Sequence, residues 1–264
     1  MKFYHGDCRD GLEKLKSNSI NLTVTSPPYD DLREYEESLE WNKEVWEKVI
    51  EELYRVTVEG GVVVWIVNDA TIDGSETLTS CYQKIHFKEV GFNIHDTMIY
   101  EKNSSAFPAK KESNRYTQIF EYMFIMSKGI PNCDLLCDKK NIWAGHTNWG
   151  QRTQYDKQGN LNKAGKQKLI PDFSIRNNIW KYSTGFNNKT IHPAVFPYRL
   201  ARDHILSWSN PGDLVLDPFM GKGTVGVECK KYNRDFIGME KVLKYYNLSK
   251  KLIRRTTIGF DFEK

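Results

Sequence analysis

Four residues near the start of the chain, Ser26-Pro27-Pro28-Tyr29, bring together a hydroxyl, prolyl carbonyls and an aromatic face. Neither proline has an N–H to continue a ladder, and each pushes the residue before it toward extended backbone, so the turn is stiff. The carbonyls of Ser26 and Pro27 have no helix to absorb them, and such groups must find partners. This combination suits a planar heterocycle with an exocyclic amino group. The ring would stack on Tyr29 while its N–H bonds go to the Ser26 hydroxyl and a prolyl carbonyl. Taken alone, the stretch serves equally well as a rigid turn closing a strand.

A second such stretch lies near the other end. Asp217-Pro218-Phe219-Met220-Gly221-Lys222-Gly223-Thr224 follows an apolar run, and Glu240 closes the next one. Gly221, Gly223 and Gly226 satisfy GxGxxG, and Glu240 stands where a dinucleotide enzyme keeps its ribose-binding acid. A Walker A loop is disfavoured, because Gly223 separates Lys222 from Thr224 where that loop needs Lys followed directly by Ser or Thr. The glycines let the backbone approach a cofactor, Asp217 can meet an ammonium, and Glu240 can accept from two ribose hydroxyls. Hydride transfer and methyl transfer both fit the glycines, but a nicotinamide enzyme has no need of Ser26-Pro27-Pro28-Tyr29.

These residues need strand ends to hold them. Ile20, Leu22 and Val24 alternate with short polar residues, so 19–25 reads as a strand running into Ser26. Residues 213–217 and 234–240 read as further strands, with a helix starting after the glycine turn. Residues 1–7 give a short strand before a helix over 10–16, placing Asp7 either at a strand's carboxyl end or as a helix cap. Trp41, Val45, Val49, Leu53 and Val56 form a helical apolar stripe; Gly60-Gly61 stop that helix, and 62–67 is a buried central strand. Asn68-Asp69 at its end forms a further wall of the site. A helix over 76–90 ends at Gly91, and 94–101 and 117–126 are two strands paired at one edge of the sheet, with an irregular loop over 103–108 between them. His192-Pro193 precedes a helix bearing Leu200, Ala201, Ile205 and Trp208 with Pro197 in its first turn; His192 reads as a structural histidine.

A chain of 264 residues suffices for one large α/β domain, or for a domain with an insertion. Five cysteines without a CxxC pair read as reduced thiols in a cytosolic protein, with no zinc site. No apolar run has signal length or approaches the roughly 20 residues of a membrane span. The net charge is only +4, yet residues 102–189 hold 15 Lys and Arg against 6 Asp and Glu. Interleaved with Trp143, Trp149, Tyr155, Phe173 and Trp180, those cations suit a polyanion or make an ordinary solvated insertion.

Together, the Ser26 to Tyr29 turn and the Asp217 to Thr224 loop with Glu240 resemble the catalytic and S-adenosylmethionine-binding motifs of the class β DNA amino-methyltransferases. The catalytic motif comes first and the cofactor glycines last, and the resemblance spans nearly the whole chain outside about 102–190. It implies an α/β fold with a doubly wound, mostly parallel, seven-stranded Rossmann-like sheet. Residues 1–127 would be the catalytic part, 128–188 an inserted basic target-recognition region, and 189–264 the cofactor-binding part. It implies catalytic Ser26, Pro27, Pro28 and Tyr29, and cofactor-binding Asp7, Cys8, Asp217, Phe219, Gly221, Gly223, Thr224 and Glu240. Asp7 would accept from the adenine amino group. The implied reaction carries a methyl group from S-adenosylmethionine to cytosine N4 in a flipped base of double-stranded DNA, without a metal, leaving S-adenosylhomocysteine. The implied setting is a cytoplasmic, prokaryotic or phage-type restriction-modification system, with a cognate endonuclease as a further partner, no membrane, and a monomer or homodimer. Adenine N6, an RNA substrate, a non-catalytic DNA-binding module and an NAD-dependent oxidoreductase are the alternatives.

Overall fold

The computed structural model describes residues 1–28, 41–105, 109–147, 152–164, 168–183 and 197–259. Its main sheet has eight strands: β1 (Lys2–His5), β2 (Ile20–Thr25), β3 (Thr57–Val67), β4 (Asn93–Lys102), β5 (Phe120–Ser127), β6 (Ile179–Tyr182), β7 (Leu214–Asp217) and β8 (Asp235–Glu240). In space they run β1-β8-β7-β2-β3-β5-β4-β6. Only the β3–β5 and β5–β4 pairings are antiparallel. The helices are α1 (Cys8–Glu13), α2 (Lys43–Val56), α3 (Thr79–Val90), α4 (Tyr198–Trp208), α5 (Thr224–Lys231) and α6 (Leu243–Arg255).

The α2 stripe is core, as its spacing requires: Val45, Trp46, Val49, Ile50, Leu53 and Val56 are all buried. Asn42 caps the helix, accepting from the Val45 N–H at 3.0 Å, so Trp41 stands just ahead of it. Gly60-Gly61 do not stop α2. The helix ends at Val56, β-branched Thr57 turns to extended backbone, and β3 runs through both glycines with a register irregularity against β2. The Arg55 guanidinium pairs with Glu52 and donates to the Leu12 and Leu15 carbonyls, tying α2 to the end of α1.

The expected seven strands become eight because Ile179–Tyr182 adds in parallel outside β4, so the antiparallel pair β4 and β5 is not at the sheet's edge. Within β6 only Trp180 is buried, which left the short strand without a readable pattern. Helix α6 has no counterpart in the sequence reading. Its inner face is Tyr245, Ser249 and Ile253 at four-residue spacing, and Lys244, Lys250, Lys251, Arg254 and Arg255 surround it.

Leu135–Asn177 forms a separate unit from Met1–Asp134 and Asn178–Lys264. Within it, Lys139–Lys140 pairs antiparallel with Phe173–Ser174, and Arg152–Tyr155 with Leu161–Ala164. No described residue of this unit is buried; Ile142, Trp143, Leu169 and Phe173 lie open. It holds eight Lys and Arg against three Asp and Glu. Among the described residues no helix is long and apolar enough to cross a membrane.

Candidate active site

The two chemistry-bearing stretches meet at the carboxyl edge of β1, β8, β7 and β2. Parallel registers align His5 with Glu240, Asp217 with Gly238 and Leu216 with Thr23. Asp7, Glu240, Asp217 and Ser26 therefore emerge from one edge of four consecutive strands. The strand after β7 lies to one side and the strand after β2 to the other, so β7 and β2 flank the switch point where open α/β sheets bind ligands.

A buried hydrogen bond joins them. Thr25 Oγ1 donates to Asp217 Oδ1 at 2.7 Å, and the Phe219 N–H donates to the same oxygen at 3.1 Å. Thr25 is fully buried and Asp217 is 2 % exposed. Burial pushes the Asp217 carboxyl up to about 7, against the pull of those two donors. Glu240 is likewise raised by burial; its Oε2 accepts from Gly221 N at 2.9 Å and its Oε1 from Val242 N at 2.8 Å. An ionised carboxylate has about four acceptor sites, so both acids can accept more.

Gly221 and Gly223 take φ of 52° and 88°, the left-handed region. Met220 N donates to Met239 O, and Gly223 N returns to Met220 O, both at 2.8 Å. At Gly223 packing is a second reason for glycine. A Cβ there would stand 2.9 Å from both Ile253 Cδ1 and Ser249 Cβ of α6. Buried Thr224 opens α5, and Phe219 meets Trp41 edge-on at 5.2 Å between centroids and Trp65 at 6.4 Å.

Asp7 performs the capping role. It accepts from Arg9 N at 3.0 Å and pairs with the Arg9 guanidinium at 2.9 Å, which holds its carboxyl below the usual range. Cys8 is buried, and burial pushes its thiol up to about 12, so it stays a neutral packing group. Asp69, just past the end of β3, is engaged by Ser80. It accepts from Ser80 N at 2.8 Å and Ser80 Oγ at 2.6 Å, holding the start of α3, while Asn68 Oδ1 takes Gln118 Nε2 at 2.9 Å. After Thr25 come half-buried Ser26, buried Pro27 and half-buried Pro28. Tyr29 and His192 lie outside the described residues.

Three residues escaped the sequence reading. Thr25 carried a signal, being polar at a buried strand position beside Ser26. The spacing of Trp41 places it in the α2 stripe, whereas its ring meets Phe219. Lys222 reads from the sequence as a mismatch to a Walker A loop, yet it is 8 % exposed, with its ammonium 5.4 Å from the Tyr198 ring centroid.

Residues 20–251 match the N6/N4 family described as DNA methylase. The "Orphan methyltransferase M.BamHII" of Bacillus amyloliquefaciens is 47 % identical over 98 % of this chain and 94 % of its own length. Among solved structures, the cytosine-N4-specific PvuII DNA methyltransferase superposes with a TM-score of 0.70 at 20 % identity, covering 99 % of this chain and 87 % of that one. The M1.HpyAVI–SAM complex gives 0.60 at 24 %, covering 95 % and 98 %. At such identities the two structures speak for the fold alone. The family match over most of the length and the close relative, joined to the strand-edge arrangement of the two motifs, establish that this chain belongs to the N6/N4 DNA methylase family.

Proposed function

We propose that the protein uses S-adenosylmethionine to methylate the exocyclic N4 of cytosine in a base flipped out of duplex DNA. The observation that carries this reading is the 2.7 Å bond from Thr25 to Asp217, which sets the Ser26 turn beside the strand end that suits the cofactor. The donor set fits the cofactor: two carboxyl groups at neighbouring strand ends, acceptor-only once ionised, match an ammonium and a ribose diol. Asp217 would hold the ammonium and Glu240 the ribose hydroxyls, with Phe219, Gly221, Gly223, Thr224 and Cys8 lining the site. Asp7 would accept from the adenine amino group through acceptor capacity left over from its bonds to Arg9. When bound, the cofactor supplies an electrophilic methyl group on a sulfonium.

The chain's own residues then have one problem to solve. An amino group on a heteroaromatic ring is a poor nucleophile, because its lone pair is delocalised. Ser26 and the Pro27 carbonyl accept its two hydrogens, which favours a tetrahedral nitrogen with its lone pair free. Pro28 keeps the turn stiff, and Tyr29 stacks on the flipped base in place of its lost neighbours. Cytosine is favoured over adenine by the resemblance of Ser26-Pro27-Pro28-Tyr29 to the cytosine-N4 form of the motif. The basic, aromatic Leu135–Asn177 unit, within the 128–188 insertion, is the proposed target-recognition region, and a restriction endonuclease acting on the same site is the proposed genetic partner. The test is transfer of a labelled methyl group from S-adenosylmethionine into duplex DNA. Incorporation by the native protein and its loss in a folded Ser26→Ala variant support the reading. Equal incorporation by the variant refutes the role of Ser26.

A further inference from the structure

Lys222 stands between the two left-handed glycines of the cofactor loop, and only 8 % of it is exposed. Lysines are almost never so buried unless paired, because an ammonium leaves water at a cost that only an opposite charge offsets. The neighbours supply little of that. Tyr198, the first residue of α4, places its ring centroid 5.4 Å from Lys222 Nζ, but the same ring also lies 5.5 Å from Lys231 Nζ. Lys231 has a carboxylate of its own, Glu228 Oε1 at 2.7 Å. Lys222 has none among the described residues. Burial alone acts on its ammonium, holding it below the ordinary lysine range with no acid pulling the other way.

The cofactor proposed above ends in an amino acid, and that end is a zwitterion. Asp217 and Glu240 have the right sign for its ammonium and for ribose hydroxyls but the wrong sign for its carboxylate. We propose that Lys222 receives the carboxylate of the cofactor's methionine part, completing in reverse sign what Asp217 does for the ammonium. The inference rests on the cofactor reading and adds a subsite to it. It also explains why a loop between β7 and α5 carries a buried lysine with no carboxylate partner among the described residues: the counter-charge arrives with the ligand. Without ligand, the buried ammonium is a local destabilisation that binding relieves.

Calorimetry on the full chain tests this with two ligands, S-adenosylmethionine and its decarboxylated form, which keeps the sulfonium, adenosine and ammonium. The native protein should bind the decarboxylated ligand about tenfold to a hundredfold more weakly, the scale of one charge-assisted hydrogen bond. In Lys222→Met the two ligands should bind within about twofold of each other, and Lys222→Arg should restore the preference. Thermal unfolding without ligand should show Lys222→Met at least as stable as the native chain, with a smaller rise on adding S-adenosylmethionine. An undiminished preference for the carboxylate in a folded Lys222→Met protein would overturn the assignment, as would a native protein indifferent to the carboxylate. A native protein that binds neither ligand would bring down the cofactor reading, and this subsite with it.

Discussion

Thr25→Val is the sharpest perturbation of the joint between the two motifs. It keeps a β-branched side chain of similar size in a fully buried strand position and deletes the hydroxyl that donates to Asp217 at 2.7 Å. Burial already holds the Asp217 carboxyl at about 7, well above its ordinary 3.8, with the Thr25 hydroxyl and Phe219 N–H opposing the rise. A hydrogen bond to a charged group contributes about 1.5–3 kcal/mol, so its loss should raise Asp217 by about one to two further pH units. An ammonium binds the ionised form, so at pH 7 the native protein should release about half a proton on binding S-adenosylmethionine and the variant about nine-tenths or more. Calorimetry at pH 7 in two buffers of different ionisation enthalpy reads that number directly, and the ligand's own titration cancels between the two proteins. Affinity at pH 7 should fall about fivefold to fiftyfold, because the variant has that much less ionised carboxylate. The sign for stability follows from the same value. The raised Asp217 favours the folded state most below about pH 4, and that contribution is lost as pH rises through about 7. Cofactor-free unfolding temperatures should show this decline, and Asp217→Asn should remove it. Equal proton release and equal affinity in Thr25→Val would refute the coupling of the two motifs through this bond.

Glu240→Ala should weaken S-adenosylmethionine by about tenfold to a hundredfold through lost bonds to the ribose, measured by calorimetry, and should also loosen the loop by freeing Gly221 N and Val242 N. Tyr29→Phe should keep much of the methyl transfer, whereas Tyr29→Ala should lose it while remaining folded and binding cofactor, followed by labelled-methyl incorporation beside thermal unfolding. Charge reversal at Lys139 and Lys140 should weaken binding to all DNA sequences alike and flatten its salt dependence, measured by anisotropy titrations at several salt concentrations.

Where residues pack against a sheet, their pattern was legible. The alternation in β2, the apolar run of β3 and the α2 stripe all record which side faces the core, and the prolines and glycines after β2 and β7 record where the chain must turn. The strand ends bearing Asp217 and Glu240 are therefore readable in the sequence. What escaped has physical causes. Helix α6 is the exception, because Tyr245, Ser249 and Ile253 recur at four-residue spacing with the lysines and arginines outside them, a period the sequence does carry. Gly60-Gly61 pass through a strand irregularity that single-sequence reading cannot tell from a helix stop. Asp69 caps a helix through Ser80, a partner fixed only by the fold. Leu135–Asn177 has no buried described residue, so nothing imposes a period on its sequence. The burial of Lys222 comes from partners such as Tyr198 of α4, which the assembled fold and not the local sequence brings to it.

The central claim is that the Ser26 turn and the Asp217 loop together methylate an amino group of a DNA base. Its most direct test is mass spectrometry of the nucleosides released from duplex DNA after incubation with the protein and S-adenosylmethionine. The account predicts N4-methyl-2′-deoxycytidine. Only unmodified nucleosides, from a folded protein that binds both S-adenosylmethionine and the DNA, would contradict it.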